Sequence, residues 1–286
     1  MAMMSQLLVL CAAALSATTL LTSPEYVVAK EVRFHSAEVP PSPLRMRLAR
    51  ERGETVAPEP AQEISGTLYR PDGQGPFSAV VVLHGCGGRS PAVAESENAK
   101  RFTALGYVAL YVDSFTPRGV RHNCAGEGIA GDRVLDALGA LEYLASRDFV
   151  RPDHVAVAGA SQGGGVAIST VALAGPVSTS KRRFAAAVAY YPPCEQLNVY
   201  APTLILIGEL DDWTPASKCR DGMRMRTGAG APVRLIVYPG AHHAFNARSL
   251  AGSPTTYFGH RLEYNEAADT SALSEVAQFL KGTIGR

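Results

Sequence analysis

Three residue types that together perform nucleophilic catalysis follow apolar segments of this sequence. Ser161 lies in GASQGG, where Gly159 and Gly163 flank it at the spacing G-x-S-x-G. A serine hydroxyl is a weak nucleophile until a base takes its proton, and a histidine oriented by a carboxylate is a common base. The segments GELDDWTP and YPGAHHAF supply candidates for both roles, and these are Asp211, Asp212, His242 and His243.

The chemistry expected of Ser161 depends on the turn that holds it. The run HVAVAGA (154–160) predicts a strand, and a helix is predicted from about Gly163. A serine on so sharp a strand-to-helix turn takes strained backbone angles, and flanking glycines avoid collisions there. Its oxygen would lie at a helix N-terminus, where the dipole favours negative charge. A glycine-rich turn without chemistry is the alternative interpretation.

Strands alternate with helices along the chain from Ile64. The predicted strands begin with EISGTLYRP and continue at 79–85, 107–115, 154–160, 184–192, 202–210 and 233–240. The predicted helices are ESENAKRFTALGY, which ends at Gly106, then 131–148, a helix from about 163, 216–227 and 271–282. This alternation predicts a doubly wound, mostly parallel sheet flanked by helices, a three-layer α/β sandwich. Because ligands bind beyond the carboxyl ends of parallel strands, the candidate residues should meet at one sheet edge.

A donor site for a developing oxyanion is also expected at that edge. The strand AVVVLHG ends in HGCGG (84–88), and glycines let the backbone approach a bound carbonyl closely. We expect the backbone N–H groups of Gln162 and Cys86 to be the donors, each contributing about 3 kcal/mol in the transition state. A structural role is favoured over a nucleophilic one for the Cys86 side chain.

The N-terminal 63 residues differ in composition from the rest of the chain. Residues 1–29 have an apolar core from Leu7 to about Leu21 and resemble a secretory signal peptide with cleavage near Ala29, although a basic n-region is missing. A membrane anchor or an N-terminal helix is the alternative, but the core is shorter than the roughly 20 residues that span a bilayer. Residues 30–63 are predicted as an arm or linker and residues 64–286 as the catalytic domain. The expected location is periplasmic or secreted.

Charge and cysteine content narrow the classes of partner. A formal net charge of +1 gives no electrostatic basis for binding nucleic acid, and no stable membrane span is expected in the mature chain. No motif supports a metal or nucleotide cofactor. Four cysteines remain after the signal segment, and in an exported chain they predict disulfides with three connectivities open. Cys194 with Cys219, after adjacent strands, is the favoured pair, Cys86 with Cys124 its companion, and four buried thiols the alternative.

The motifs HGCGG, GASQGG, GELDDWTP and YPGAHHAF together resemble the dienelactone hydrolase family of the α/β-hydrolase superfamily, over roughly residues 64–284. The chain order Ser, Asp, His is that of α/β-hydrolases. The resemblance assigns the acid to Asp211, in G-x-x-D-x-x-x-P, and the base to His243, before Ala and Phe. It implies hydrolysis of carboxylic esters or lactones through an acyl-enzyme on Ser161, with small-molecule substrates and no cofactor.

The sequence departs from the founding lactonases of that family, which use a cysteine nucleophile where Ser161 stands. Those lactonases also carry basic residues that hold a substrate carboxylate, and candidates here are Arg118, Arg121 and Arg248. A dienelactone substrate is therefore not implied for this chain, and polyesters and acetyl esters are alternative substrates. A serine peptidase of the prolyl-oligopeptidase type and a non-catalytic binding module on a hydrolase scaffold are further alternatives.

Several aromatic residues follow the same predicted strand ends and are candidates for binding substrate. Each of them would serve equally well as core packing. They are Phe115, Tyr190, Tyr191, Trp213 and Phe245. The polar segment 116–128 is predicted either as a lid or as a connection tied down by Cys124.

Overall fold

The computed structural model describes residues 28–38, 41–58, 60–89, 96–125, 130–174, 181–195 and 197–286. All but the last two residues of the predicted signal peptide therefore lie outside the described residues. The strands are β1 (Val28–His35), β2 (Glu63–Arg70), β3 (Phe77–Leu83), β4 (Val108–Asp113), β5 (Val150–Ala160), β6 (Ala186–Tyr190), β7 (Thr203–Gly208), β8 (Val233–Tyr238), β9 (Thr255–Tyr257) and β10 (His260–Leu262). The α-helices are α1 (Pro43–Arg52), α2 (Ser96–Ala104), α3 (Ala130–Ala145), α4 (Gln162–Thr170), α5 (Ala216–Arg224) and α6 (Glu266–Thr283).

The strands β1 to β8 form one twisted sheet in the order β1-β2-β4-β3-β5-β6-β7-β8. β2 runs antiparallel to both of its neighbours, and every pairing from β4 to β8 is parallel. β4, β6 and β7 are buried along their whole lengths, as expected of strands covered on both faces. The structure thus confirms the predicted fold class, a mostly parallel sheet flanked by helices.

The segment predicted as an arm, residues 30–63, contributes regular structure instead. β1 pairs along its whole length with β2 and buries Val32 and Phe34 against the core. The alternation of apolar and polar residues along this edge strand is short and is interrupted by charged residues. The sequence pattern therefore did not predict the strand. Since β1 begins at Val28, the predicted cleavage near Ala29 falls inside the strand.

Helix α1 was also absent from the sequence interpretation. It begins after Ser42, whose Oγ accepts a hydrogen bond from the backbone N–H of Arg45, and it ends at Gly53 in the left-handed conformation. Of its residues only Ala49 is buried. A helix that buries so little carries no apolar periodicity, so the Pro-rich composition around it dominated the prediction.

The parallel strands bring the candidate residues to one edge of the sheet. β5 ends directly before Ser161, β7 ends three residues before Asp211, and β8 ends five residues before His243. β3 ends before the HGCGG loop at the same edge. In the described part of the chain, no helix combines the length and apolar character needed to cross a membrane.

Candidate active site

Ser161 stands at the turn between β5 and α4 with φ 54° and ψ −122°. Its backbone N–H donates to the carbonyl of Tyr190 at 2.9 Å, which holds the turn against β6. A Cβ at Gly159 would collide with the carbonyl of Gly163, and a Cβ at Gly163 would collide with the carbonyl of Leu83. Both glycines of the G-x-S-x-G spacing are therefore required by close backbone approach.

The side chains of Ser161, His243 and Asp211 form a row of hydrogen bonds. Nε2 of His243 lies 3.1 Å from Oγ of Ser161, and Nδ1 of His243 lies 2.8 Å from Oδ2 of Asp211. His243 and Asp211 are buried, each with 3% of its surface exposed. Since an ionised carboxylate only accepts hydrogen bonds, the ring proton belongs on Nδ1, and Nε2 presents its lone pair to the serine.

Backbone donors hold the Asp211 carboxylate in place. The N–H groups of Trp213 and Thr214 donate to Oδ1 at 3.0 and 2.9 Å. The Thr214 hydroxyl lies 2.9 Å from Oδ2 and also 2.9 Å from the carbonyl of Tyr191. This tight turn after β7 fixes the carboxylate with one oxygen directed at His243.

The neighbours of these two residues point elsewhere. Oδ1 of Asp212, which is exposed, lies 3.6 Å from Nδ1 of His260. Nε2 of His242 lies 3.7 Å from Oε2 of Glu263. The structure thus brings Ser161 together with Asp211 and His243, as the sequence analysis expects, and keeps Asp212 and His242 out of the row.

The loop after β3 borders the same space as the serine. Residues Gly85 to Gly88 line the cavity in front of Ser161, and the backbone carbonyl of Cys86 accepts a hydrogen bond from the N–H of Asn123 at 2.7 Å. Gln162 is the first residue of α4, so its N–H lies beyond the hydrogen-bond pattern within the helix. These are the two positions at which the sequence analysis expects oxyanion donors.

Both predicted cysteine pairings are confirmed. Disulfides join Cys86 to Cys124 and Cys194 to Cys219, and they are compatible with an extracellular location. The first attaches the loop after β3 to the segment predicted as a lid or tied connection. Among the described residues, no group of three or more His, Cys, Asp or Glu side chains is placed to hold a metal ion.

A buried arginine that the sequence analysis missed links the two expected donor segments. Arg133, on α3, has no exposed surface, and it donates to Oε1 of Gln162 at 2.6 Å and to the backbone carbonyl of His84. Its guanidinium also lies 5.1 Å from the ring centroid of Phe115. The only signal in the sequence was an arginine among the apolar residues of the predicted helix 131–148.

His84 is buried beside this arginine and is neutral. Its Nδ1 lies 2.7 Å from the carbonyl of Gly85, and its Nε2 accepts the backbone N–H of Ser114 at 3.3 Å. Burial, and next the positive charge of Arg133, lowers the pKa of the His84 imidazole well below its usual value. A neutral ring that donates at Nδ1 and accepts at Nε2 satisfies both contacts.

The cavity in front of Ser161 includes some of the predicted aromatic residues and excludes others. It is lined by Gly85, Cys86, Gly87, Gly88, Ser161, Tyr191, Trp213, His243, Ala244, Tyr257 and Leu262. Phe115 and Phe245, expected at the pocket, instead lie in the interior, with 1% and 0% of their surfaces exposed. Phe115 turns inward and packs on His84, with ring centroids 4.5 Å apart, because Asp113 holds its N–H in a tight turn.

The hairpin of β9 and β10 supplies lining residues that the sequence analysis did not predict. Tyr257 and Leu262 come from its two strands. It is anchored by a bridge between His243 and Leu262 and by a 3.1 Å hydrogen bond from the N–H of Glu263 to the His243 carbonyl. Strands of three residues carry too little alternation to be recognised in a sequence.

Backbone strain among the described residues concentrates around this cavity. The residues other than glycine with positive φ are Ser161, Tyr191, Ala244 and Phe258, and the first three line the cavity. Each such conformation costs about 1–3 kcal/mol and persists only where the surroundings enforce it. Its concentration here is typical of a functional site.

Comparison with known proteins identifies a family and a fold. The model of the Dienelactone hydrolase family matches residues 64–284. A Yersinia pestis protein with the provisional name carboxymethylenebutenolidase is 26% identical over 215 residues, which cover 68% of this chain and 79% of that protein.

Solved structures share the architecture at low sequence identity. A dienelactone hydrolase-like promiscuous phosphotriesterase from metagenomic libraries superposes with a TM-score of 0.64 at 17% identity, covering 90% of this chain and 99% of that one. Thermogutta terrifontis esterase 2, in its form phosphorylated by paraoxon, superposes with a TM-score of 0.59 at 21% identity, covering 77% and 89%. At these low sequence identities, the structural similarity shows a shared fold and nothing more specific.

Proposed function

We propose that this chain, which belongs to the dienelactone hydrolase family, hydrolyses carboxylic esters or lactones through an acyl-enzyme on Ser161. The observation that carries the proposal is the row from Ser161 Oγ to His243 Nε2, 3.1 Å, and from His243 Nδ1 to Asp211 Oδ2, 2.8 Å, at the wall of a cavity. Family membership makes the chain a hydrolase, and this row supports the ester-hydrolysing chemistry.

The proposed reaction has two acyl-transfer steps. His243 takes the proton from Ser161 as Oγ attacks the ester carbonyl, and Asp211 holds the imidazole and stabilises its charged form. The carbon–oxygen bond to the alcohol then breaks, and the alcohol leaves with the proton from His243. Water attacks the acyl-serine by the same route and releases the acid.

The oxyanion of each tetrahedral intermediate would be held by the backbone N–H groups of Gln162 and Cys86. Gln162 opens α4, so the helix dipole adds to its N–H. Arg133 braces Gln162, and Asn123 and the disulfide brace Cys86. Donors that are held in place before the reaction cost no reorganisation when the charge develops.

The decisive experiment compares the purified protein with Ser161→Ala on 4-nitrophenyl acetate. The variant should lose about 10³-fold or more in kcat/KM with an unchanged circular dichroism spectrum. Equal rates in both proteins would refute the proposal and favour a binding module. Peptide 4-nitroanilides, assayed in parallel, test the peptidase alternative, which predicts cleavage of these substrates by the wild type.

A covalent inhibitor gives a readout that does not depend on the choice of ester. Thermogutta terrifontis esterase 2, which shares the fold, is phosphorylated by paraoxon in its solved structure. For this chain we expect paraoxon to lose 4-nitrophenolate and to leave one diethyl phosphoryl group on Ser161. Peptide mapping by mass spectrometry should find the adduct in the wild type and none in Ser161→Ala.

The two disulfides further support an oxidising compartment, periplasmic or extracellular, as the place of action.

A further inference from the structure

The cavity in front of Ser161 is small. Its volume is about 40 Å³, whereas one water-sized sphere occupies roughly 10–15 Å³. The glycine-rich segment Gly85–Gly88 forms one wall and the ring of Tyr191 another. The enclosed space beside Ser161 therefore suits a short acyl group better than a long one.

The described residues that line this cavity include neither arginine nor lysine. Two of the arginines considered for a substrate carboxylate are bound to carboxylates of the protein. Arg118 forms a double hydrogen bond with the buried Asp136, at 2.7 and 2.8 Å, and Arg248 donates to the buried Asp269 at 3.2 Å. The third, Arg121, is exposed and is not part of the lining.

A carboxylate brought into this cavity would therefore lose part of its hydration without gaining a cationic partner among the described lining residues. Such an unpaired charge is costly in a partly apolar site. The lining thus disfavours the carboxylate-bearing substrates for which the founding lactonases of the family are built.

Aromatic side chains form a rim on the histidine side of the cavity, which we define as Trp213, Tyr257, Phe258 and His260. The Trp213 ring lies 5.1 Å from the His243 ring, stacks on His260 at 4.9 Å, and lies 6.0 Å from Tyr257. Tyr257 and Phe258 are 37% and 52% exposed. An apolar ligand group that covers these rings would be stabilised by burial.

The reaction decides which part of an ester meets this rim. The departing alcohol must receive its proton from Nε2 of His243, so it lies on the histidine side, beside Trp213 and Tyr257. The acyl group stays on Ser161 and occupies the small remaining space near the glycines.

From these contacts we infer that the site selects uncharged esters with a short acyl group and an apolar or aromatic alcohol, and that it discriminates against substrates with a carboxylate. This inference rests on the proposed ester hydrolysis and names its substrate class.

The first experiment measures kcat/KM of the wild type on three matched pairs of esters. The kcat/KM for 4-nitrophenyl acetate should exceed that for 4-nitrophenyl octanoate by about tenfold or more. The kcat/KM for ethyl fumaramate should likewise exceed that for monoethyl fumarate, its isosteric carboxylate, by about tenfold or more. The trans double bond of fumarate keeps the carboxylate from attacking its own ester. 2-Phenylethyl acetate should exceed ethyl acetate, whose alcohol is of similar leaving ability.

Variants of the rim test the assignment of its parts. Tyr257→Ala should reduce the ratio of 2-phenylethyl acetate to ethyl acetate in kcat/KM about fivefold. Tyr257→Arg should raise kcat/KM for 4-(acetoxymethyl)benzoate, whose carboxylate is on the alcohol part, about tenfold relative to the corresponding benzamide. Met225→Ala, an exposed apolar residue outside the cavity lining, is the control and should leave both ratios unchanged.

The outcomes separate this inference from the proposed function. Equal kcat/KM for monoethyl fumarate and its amide, or for acetate and octanoate, with hydrolysis still lost in Ser161→Ala, would overturn the substrate class and leave ester hydrolysis standing. No Ser161-dependent hydrolysis of any ester would remove both. Unchanged ratios in both Tyr257 variants would overturn the role of the rim.

Discussion

The hydroxyl of Tyr191 donates a 2.8 Å hydrogen bond to Oδ1 of Asn246 within the protein interior. Tyr191 follows β6, and its ring centroid lies 4.6 Å from that of His243. Asn246 stands three residues after His243, and its backbone carbonyl accepts a hydrogen bond from Arg101 of α2 at 3.3 Å. One buried contact therefore ties the end of β6 to the loop that carries the proposed base.

Removing this contact should weaken both the fold and the activity. Tyr191→Phe keeps the ring but leaves Oδ1 of the buried Asn246 without its donor, so the free energy of unfolding should fall by about 1–2 kcal/mol. We also expect kcat on 4-nitrophenyl acetate to fall severalfold, because the His243 loop loses an anchor. Urea denaturation and steady-state kinetics measure the two effects.

Tyr107→Phe is the matched control for that substitution. The Tyr107 hydroxyl is buried, and no hydrogen-bond partner for it occurs among the described residues, so its removal should leave stability unchanged or raised. An equal loss in both variants would show that the Tyr191 hydroxyl has no special role.

The glycine before the serine should not tolerate even a methyl group. In Gly159→Ala the new Cβ would meet the carbonyl carbon and oxygen of Gly163, which are backbone atoms that cannot rotate away. We expect a loss of about 2 kcal/mol or more in the free energy of unfolding and a larger proportional loss of kcat.

Gly282→Ala adds the same methyl group, but we expect it to raise the free energy of unfolding. Gly282 lies on α6, where a Cβ meets nothing within 4 Å, and alanine there should stabilise the helix by about 0.5–1 kcal/mol. Thermal unfolding measures the melting temperature of each variant. A shift of both melting temperatures in the same direction would contradict the prediction.

The two disulfides should differ in what they support. Each closes a loop, of 38 residues for Cys86–Cys124 and 25 for Cys194–Cys219 by sequence separation, and the loss of either should cost about 3–4 kcal/mol of stability. Only Cys86 carries a proposed oxyanion donor, so Cys86→Ser/Cys124→Ser should also lower kcat, by about tenfold. Cys194→Ser/Cys219→Ser should reduce stability with kcat nearly unchanged, and equal kcat losses would argue against the oxyanion role of the loop.

Stability should depend on pH through His84. Burial lowers the pKa of His84 in the folded state below its value of 6.5 in the unfolded chain, so below about pH 6.5 the unfolded state binds more protons. The stability contributed by the neutral ring is thus present above this pH and is lost as the pH falls through and below it. Urea denaturation measures the free energy of unfolding of both proteins. Between about pH 7.5 and 5.5, this free energy should fall less for His84→Gln than for the wild type. Parallel curves for the two proteins would contradict this assignment.

Continuous apolar runs made most of the sheet predictable. β3, β6 and β7 are buried on both faces, so their sequences contain almost no polar interruption. β1, α1 and the β9–β10 hairpin were missed because each is exposed on one or more sides and buries few side chains. Such elements are stabilised mainly by pairing and packing with distant residues, which local patterns do not reveal.

The residue types that follow each predicted strand can be read directly from the sequence, and a parallel sheet brings all such positions to one edge. That was enough to select Ser161 and two candidate pairs, Asp211 or Asp212 and His242 or His243. The resemblance to the dienelactone hydrolase family then favoured Asp211 and His243. The direction of each side chain is visible only in the folded protein. Phe115 packs in the core, and the buried Arg133 donates a hydrogen bond to the Gln162 side chain. The direction of a side chain beyond a strand end depends on turn angles and on partners far away in sequence, such as Leu262 beside His243, and neither is written in the pattern of neighbouring residues.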